Sequence, residues 1–163
     1  MLCLLLLILG SVPARAEWLS KRLSGPPGTP ARCIVESTPL PIYDGYQETQ
    51  IAIVVSAEHV LVKSKAPLDD SFGDLGLQVD KFEFIKADRV LEERSALFAS
   101  SYTKLLEQFK KGPGAVKKGQ KPGASSLRVQ LRFWPTWPAT GAHATEFLLD
   151  GFSKAHTEML ACQ

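Results

Sequence analysis

Only three cysteines occur in 163 residues and no two form a C-x-x-C pair, so a thioredoxin-like dithiol has no support. The histidines are equally sparse. His59, His143 and His156 show no H-x-x-x-H or H-E-x-x-H spacing, so no metal site is expected; zinc would have to be gathered wholly in three dimensions. G-x-S-x-G is absent, which removes the nucleophile elbow of a serine hydrolase. Glu92 and Glu93 are adjacent carboxylates that point apart on a helix or a strand, and they make no acid and base pair. Asp69, Asp70 and Asp74 lack the spacing and closing glutamate of an EF-hand loop, and read as a solvated connection. No cofactor is called for. Lys and Arg number 19 against 17 Asp and Glu, a formal net charge of +2, so bulk nucleic-acid binding is not expected. After Leu9 no apolar run approaches the roughly 20 residues of a membrane span.

The run Leu2 to Leu9 is itself too short to span. With Gly10, Pro13 and the A-x-A site Ala14-Arg15-Ala16 it reads as a secretory signal over residues 1–16, although no Lys or Arg precedes it. Glu17 is then the expected mature N-terminus, and a periplasmic or secreted location follows. Residues 17–31 contain Gly25-Pro26-Pro27-Gly28-Thr29-Pro30 and read as an extended, flexible Pro/Gly-rich arm. Residues 32–163 are long enough for one β-rich domain.

Leu127, Val129, Leu131 and Phe133 alternate with Arg128, Gln130 and Arg132, the period-two pattern of a strand with one face on a core, continuing to Trp134. Thr49 to Ser56 is β-branched and almost continuously apolar. Ala57-Glu58 turns it into His59 to Lys63, an antiparallel hairpin. Arg32 to Glu36 is a short strand, Pro39-Leu40-Pro41 and Asp44-Gly45 are turn-rich, and Leu77-Gln78-Val79 pairs with Phe82 to Ile85 about Asp80-Lys81. Arg89 to Glu92 is a strand or turn. Leu97, Phe98, Tyr102, Leu105, Leu106 and Phe109 predict a helix from about Ala96 to Lys111, stopped by Gly112-Pro113. Extended chain from Ala144 to Leu149 leads through Asp150-Gly151 into a closing helix over Phe152 to Leu160, with Phe152, Ala155, Met159 and Leu160 at helical spacing. The expected fold is mainly β, an antiparallel β sandwich with one central and one C-terminal α-helix.

Two constellations remain. Cys33 and Cys162 survive signal removal and in an oxidising compartment form either a disulfide or two free buried thiols. Trp134-Pro135-Thr136-Trp137-Pro138 is an aromatic turn in which the prolines limit the entropy lost on binding; with Arg128 and Arg132 on the strand face of Trp134 it is a candidate binding surface, with Trp137 between Pro135 and Pro138 the expected anchor rather than Trp134, or a plug closing one end of the core. Lys110, Lys111, Lys117, Lys118 and Lys121 are a basic cluster that reads first as a solvated loop.

Gly76-Leu77-Gln78-Val79-Asp80, the helix end Leu105-Leu106-Glu107-Gln108-Phe109-Lys110-Lys111-Gly112 and the closing Leu149-Asp150-Gly151-Phe152-Ser153-Lys154-Ala155 resemble the invasion-associated locus B family of secreted bacterial proteins. The resemblance covers the second half of the chain. It departs in that Phe82 to Ser101 holds no cysteine, where that family is cysteine-rich. It implies a periplasmic, mostly β domain without enzymatic chemistry. Two function classes stay open. One is a non-catalytic binding or accessory protein of the envelope, with host interaction within its scope, whose partner is an envelope protein or cell-wall component. The other is a small envelope hydrolase with a site assembled around His143 or His156.

Overall fold

Glu48–Val55 supplies the axis on which the larger sheet is laid, because its alternate residues Thr49, Ile51, Ile53 and Val55 all turn to one core. The computed structural model describes residues 16–26, 31–111, 125–135 and 141–162. Along the described chain the strands are β1 (Trp18–Leu23), β2 (Arg32–Ser37), β3 (Leu40–Tyr43), β4 (Glu48–Val55), β5 (Val60–Ser64), β6 (Gly76–Val79), β7 (Ile85–Lys86), β8 (Arg89–Leu91), β9 (Ser95–Phe98), β10 (Ser126–Leu131) and β11 (His143–Leu148); the helices are α1 (Tyr102–Lys111) and α2 (Phe152–Ala161). One sheet has the order β1-β2-β4-β5-β9-β8, with β3 also on β4, and the other β11-β10-β6-β7. Every pairing is antiparallel. The architecture is therefore mainly β, two antiparallel sheets with two helices, as expected.

Both β2 and β3 lie along one edge of β4, pairing Val35 with Val55 and Leu40 with Ile51. Pro39 interrupts them, since it cannot donate to a ladder. Across the break the Ser37 hydroxyl accepts the Ile53 N–H at 2.9 Å, so β4 stays satisfied. In the smaller sheet Gly76 is required by close approach: a Cβ there would meet the Phe84 ring and stand 2.5 Å from the Ile85 carbonyl oxygen.

Four expectations need correction. The arm expected over residues 17–31 instead provides β1, whose whole length pairs with β2 and whose Trp18 is buried. Its glycines and prolines begin only at Gly25, so nothing in Trp18–Leu23 opposes a strand. The helix expected from Ala96 starts at Tyr102; Ala96 and Phe98 are core residues of β9, paired with Val62 and Val60 of β5. Asp88 decides that boundary by accepting the N–H groups of Ala99 and Ser100 and the Ser100 hydroxyl, which breaks the chain between strand and helix. Trp134, expected on the strand with Arg128 and Arg132, lies past the end of β10. The turn-rich Pro39-Leu40-Pro41 also contributes to β3.

Phe152 at the start of α2 is the hub of the helical side. It is fully buried, meets Trp18 edge-on at 5.1 Å and Phe109 of α1 at 5.2 Å, while the Trp18 indole N–H donates to the Leu148 carbonyl at 2.8 Å. The far end of α2 returns to the larger sheet, where Cys162 stands at disulfide distance from Cys33 of β2, with 6.1 Å between Cα atoms.

Candidate binding cleft

The turn after β3 is built by one carboxylate. Buried Asp44 accepts the backbone N–H groups of Tyr46 and Gln47, each at 2.9 Å, and its own N–H donates to the Gln47 carbonyl, while Gly45 takes a φ of 102°. The turn so held displays Tyr46, 55% exposed, beside Gln47 and Glu48. Opposite it the chain leaving β10 is fixed by the Asp69 N–H on the Arg132 carbonyl, a bridge between Leu68 and Phe133, and the Trp134 N–H on the Pro67 carbonyl at 3.0 Å. Trp134 thus emerges 62% exposed, and the Tyr46 hydroxyl reaches the Pro135 carbonyl at 3.5 Å. Between the two segments lies an open cleft of about 720 Å³ whose lining includes Tyr46, Gln47, Glu48, Gln50, Lys65 and Trp134, together with Asp44 and Pro67.

Of the predicted surface, the structure brings only Trp134 to this cleft. Trp137 lies outside the described residues, as do Lys117, Lys118 and Lys121 of the basic cluster. Arg128 is exposed on the outer face of β10, in register with Glu146 and Gln78. Arg132 is engaged within the fold: its Nε donates to both Asp74 carboxylate oxygens at 3.1 and 3.2 Å, and its guanidinium lies 4.3 Å over the Phe72 ring. Its hydrogen bond to Asp74 pushes the Arg132 pKa above its already high ordinary value, so the guanidinium stays charged and clasps the residue 69–75 loop to the residue that follows β10. That clasp also accounts for Asp74, one of the three loop aspartates. Among the described residues no group of histidine, cysteine and acidic side chains gathers to hold a metal.

Both histidines of the alternative reading have aromatic neighbours. His143 at the start of β11 faces Tyr43 at 5.6 Å and Phe133 at 6.2 Å. His156 on α2 is 3% exposed against Phe152 at 5.6 Å, with its Nε2 buried and lacking a hydrogen bond. Burial, aided by Lys110, holds its pKa below the ordinary histidine value, so the fold keeps the ring neutral. The unfolded chain then binds a proton that the fold resists: stability is constant at high pH and falls as pH drops through about 6.5 toward the lower folded-state pKa. His156→Gln should flatten that part of a stability profile measured by urea unfolding between pH 5 and 7.5, and an unchanged slope would contradict it.

The sequence reading missed Tyr46, Gln47, Gln50 and Lys65. Its only trace of them was the turn signal Asp44-Gly45, which says nothing about the chain 89 residues on that Tyr46 touches. No protein-family model, curated protein or solved structure matches the chain, so the cleft is interpreted from its own chemistry.

Proposed function

We propose that this chain is an exported, non-catalytic binding or accessory protein of the bacterial cell envelope that engages an envelope protein or cell-wall component through the cleft at Trp134. One observation carries the reading: a tryptophan 62% exposed on the rim of a cleft whose two walls are tied down by backbone hydrogen bonds. An exposed indole on a rigid frame binds with little entropy lost, the property of an interface anchor. The short motifs shared with the invasion-associated locus B family belong to the same proposal, as does a periplasmic or secreted location. Among the described residues no helix is long and apolar enough to cross a membrane, and the paired cysteines suit an oxidising compartment.

Trp134→Ala should leave thermal unfolding within about 0.5 kcal/mol of the parent, as for an exposed side chain. The same change should weaken capture of a partner from envelope extract by about 2 kcal/mol or more. Melting curves paired with pull-downs test this, and a lowered Tm with capture intact would make Trp134 a structural residue. Export has its own readout: intact mass from a periplasmic extract should match a chain starting at Glu17, and an uncleaved cytoplasmic product would remove the export claim.

A further inference from the structure

We infer that the Trp134 cleft takes a chain of β-1,4-linked pyranose rings, the chemistry shared by cell-wall glycan strands, chitin and cellulose; the inference rests on the binding role proposed above and names its ligand class. A pyranose has apolar C–H faces and a polar equatorial rim. The cleft has the matching halves: the exposed indole of Trp134 and ring of Tyr46 offer aromatic surface, and Gln47 and Gln50 offer amides that both donate and accept. Among the described residues the side chains of Gln47, Glu48, Gln50 and Lys65 have no hydrogen-bond or ion-pair partner, so none need be broken to meet a hydroxyl. The volume of about 720 Å³ falls within the roughly 300 to 1,000 Å³ of small-ligand sites, and the open form admits a chain rather than a single enclosed molecule.

Two competing ligand classes fit less well. Among the described residues Lys65 is the sole cation of the lining, against the two carboxylates of Glu48 and Asp44, so a polyanion would meet net negative charge. A peptide added as a strand needs an open sheet edge. At this end of β4 both edges are taken, by β3 through Tyr43 opposite Glu48 and Pro41 opposite Gln50, and by the Lys65 N–H on the Gln50 carbonyl. Recognition there falls to side chains, which suits a ligand made of hydroxyls.

The test titrates chitotetraose and cellotetraose into the full chain by calorimetry, with co-sedimentation on purified, protein-free cell-wall sacculi and a proline-rich decapeptide as a comparison. The expected result is a Kd below about 1 mM for at least one sugar, raised about tenfold or more by Trp134→Ala and several-fold by Gln50→Ala, with Tm unchanged in both. Co-sedimentation with sacculi places the ligand in the wall; a response to cellotetraose alone supports the ligand class with a source outside it. Silence with both sugars and sacculi, or sugar binding indifferent to both substitutions, overturns the inference. If Trp134-dependent capture from envelope extract persists while the sugars fail, or if only the decapeptide binds, the saccharide assignment falls and the binding role stands. Loss of that capture together with the sugars removes both.

Discussion

Phe152→Ala should lower the unfolding free energy by about 3 to 5 kcal/mol, the cost of truncating a large buried aromatic. Phe152 is wholly buried and touches Trp18 of β1, Phe109 of α1 and His156 on its own helix. It joins both helices to the edge of the larger sheet, so the void left behind has walls from three elements that cannot all collapse onto it. For a chain of this size the loss corresponds to a fall in Tm of roughly 6 to 20 °C. Leu160→Ala, on the same helix but 52% exposed, serves as the comparison and should change stability by less than about 0.5 kcal/mol. Equal effects at the two positions in urea unfolding would mean that α2 does not pack through Phe152.

The second large effect belongs to the cysteines. Cys33 and Cys162 are separated by 129 residues, so a covalent bridge would close nearly the whole folded chain. The chain-entropy account gives about 5 kcal/mol for a loop of that length, and measured losses usually fall at about 2 to 5 kcal/mol. Such a bridge would pin the end of α2 to β2, the strand that carries β1 on its outer side. Replacing both cysteines by serine should therefore lower stability by that amount and loosen α2 and β1 first, seen as faster amide exchange in those two segments. Alkylation of oxidised protein without reductant should find neither thiol, and two labelled cysteines would show that no bridge forms.

Strands and helices that bury one face in local register were legible from the residues alone. Val129, Leu131 and Phe133 alternate, and all three are buried; the helix from Phe152 likewise carries its period within itself, and the hairpin over Thr49 to Lys63 was marked by its β-branched, almost continuously apolar first strand. Where a segment is apolar at both helical and strand spacing, periodicity does not choose. Leu97 and Phe98 fitted the stripe of a helix, and it was the free edge of β5 together with the Asp88 carboxylate that made them a strand. Trp18 carried no signal of burial either, because its partners Leu148 and Phe152 lie at the other end of the chain.

The candidate site divides in the same way. That the ladder would end near Pro135 followed from local chemistry, since a proline cannot continue it, but the local pattern carried Trp134 on as a strand residue and did not decide between an exposed surface and a plug. That Arg132 would be drawn away from Trp134 depended on Asp74, 58 residues distant, and that Trp134 would face Tyr46, Gln47, Gln50 and Lys65 depended on the pairing of Phe133 with Leu68. Local sequence determined which backbone could be extended, helical or turned, through steric and hydrogen-bonding limits acting within a few residues. Contacts across scores of residues follow only from how two sheets and two helices share one core, and those contacts alone decided which side chains meet at the cleft.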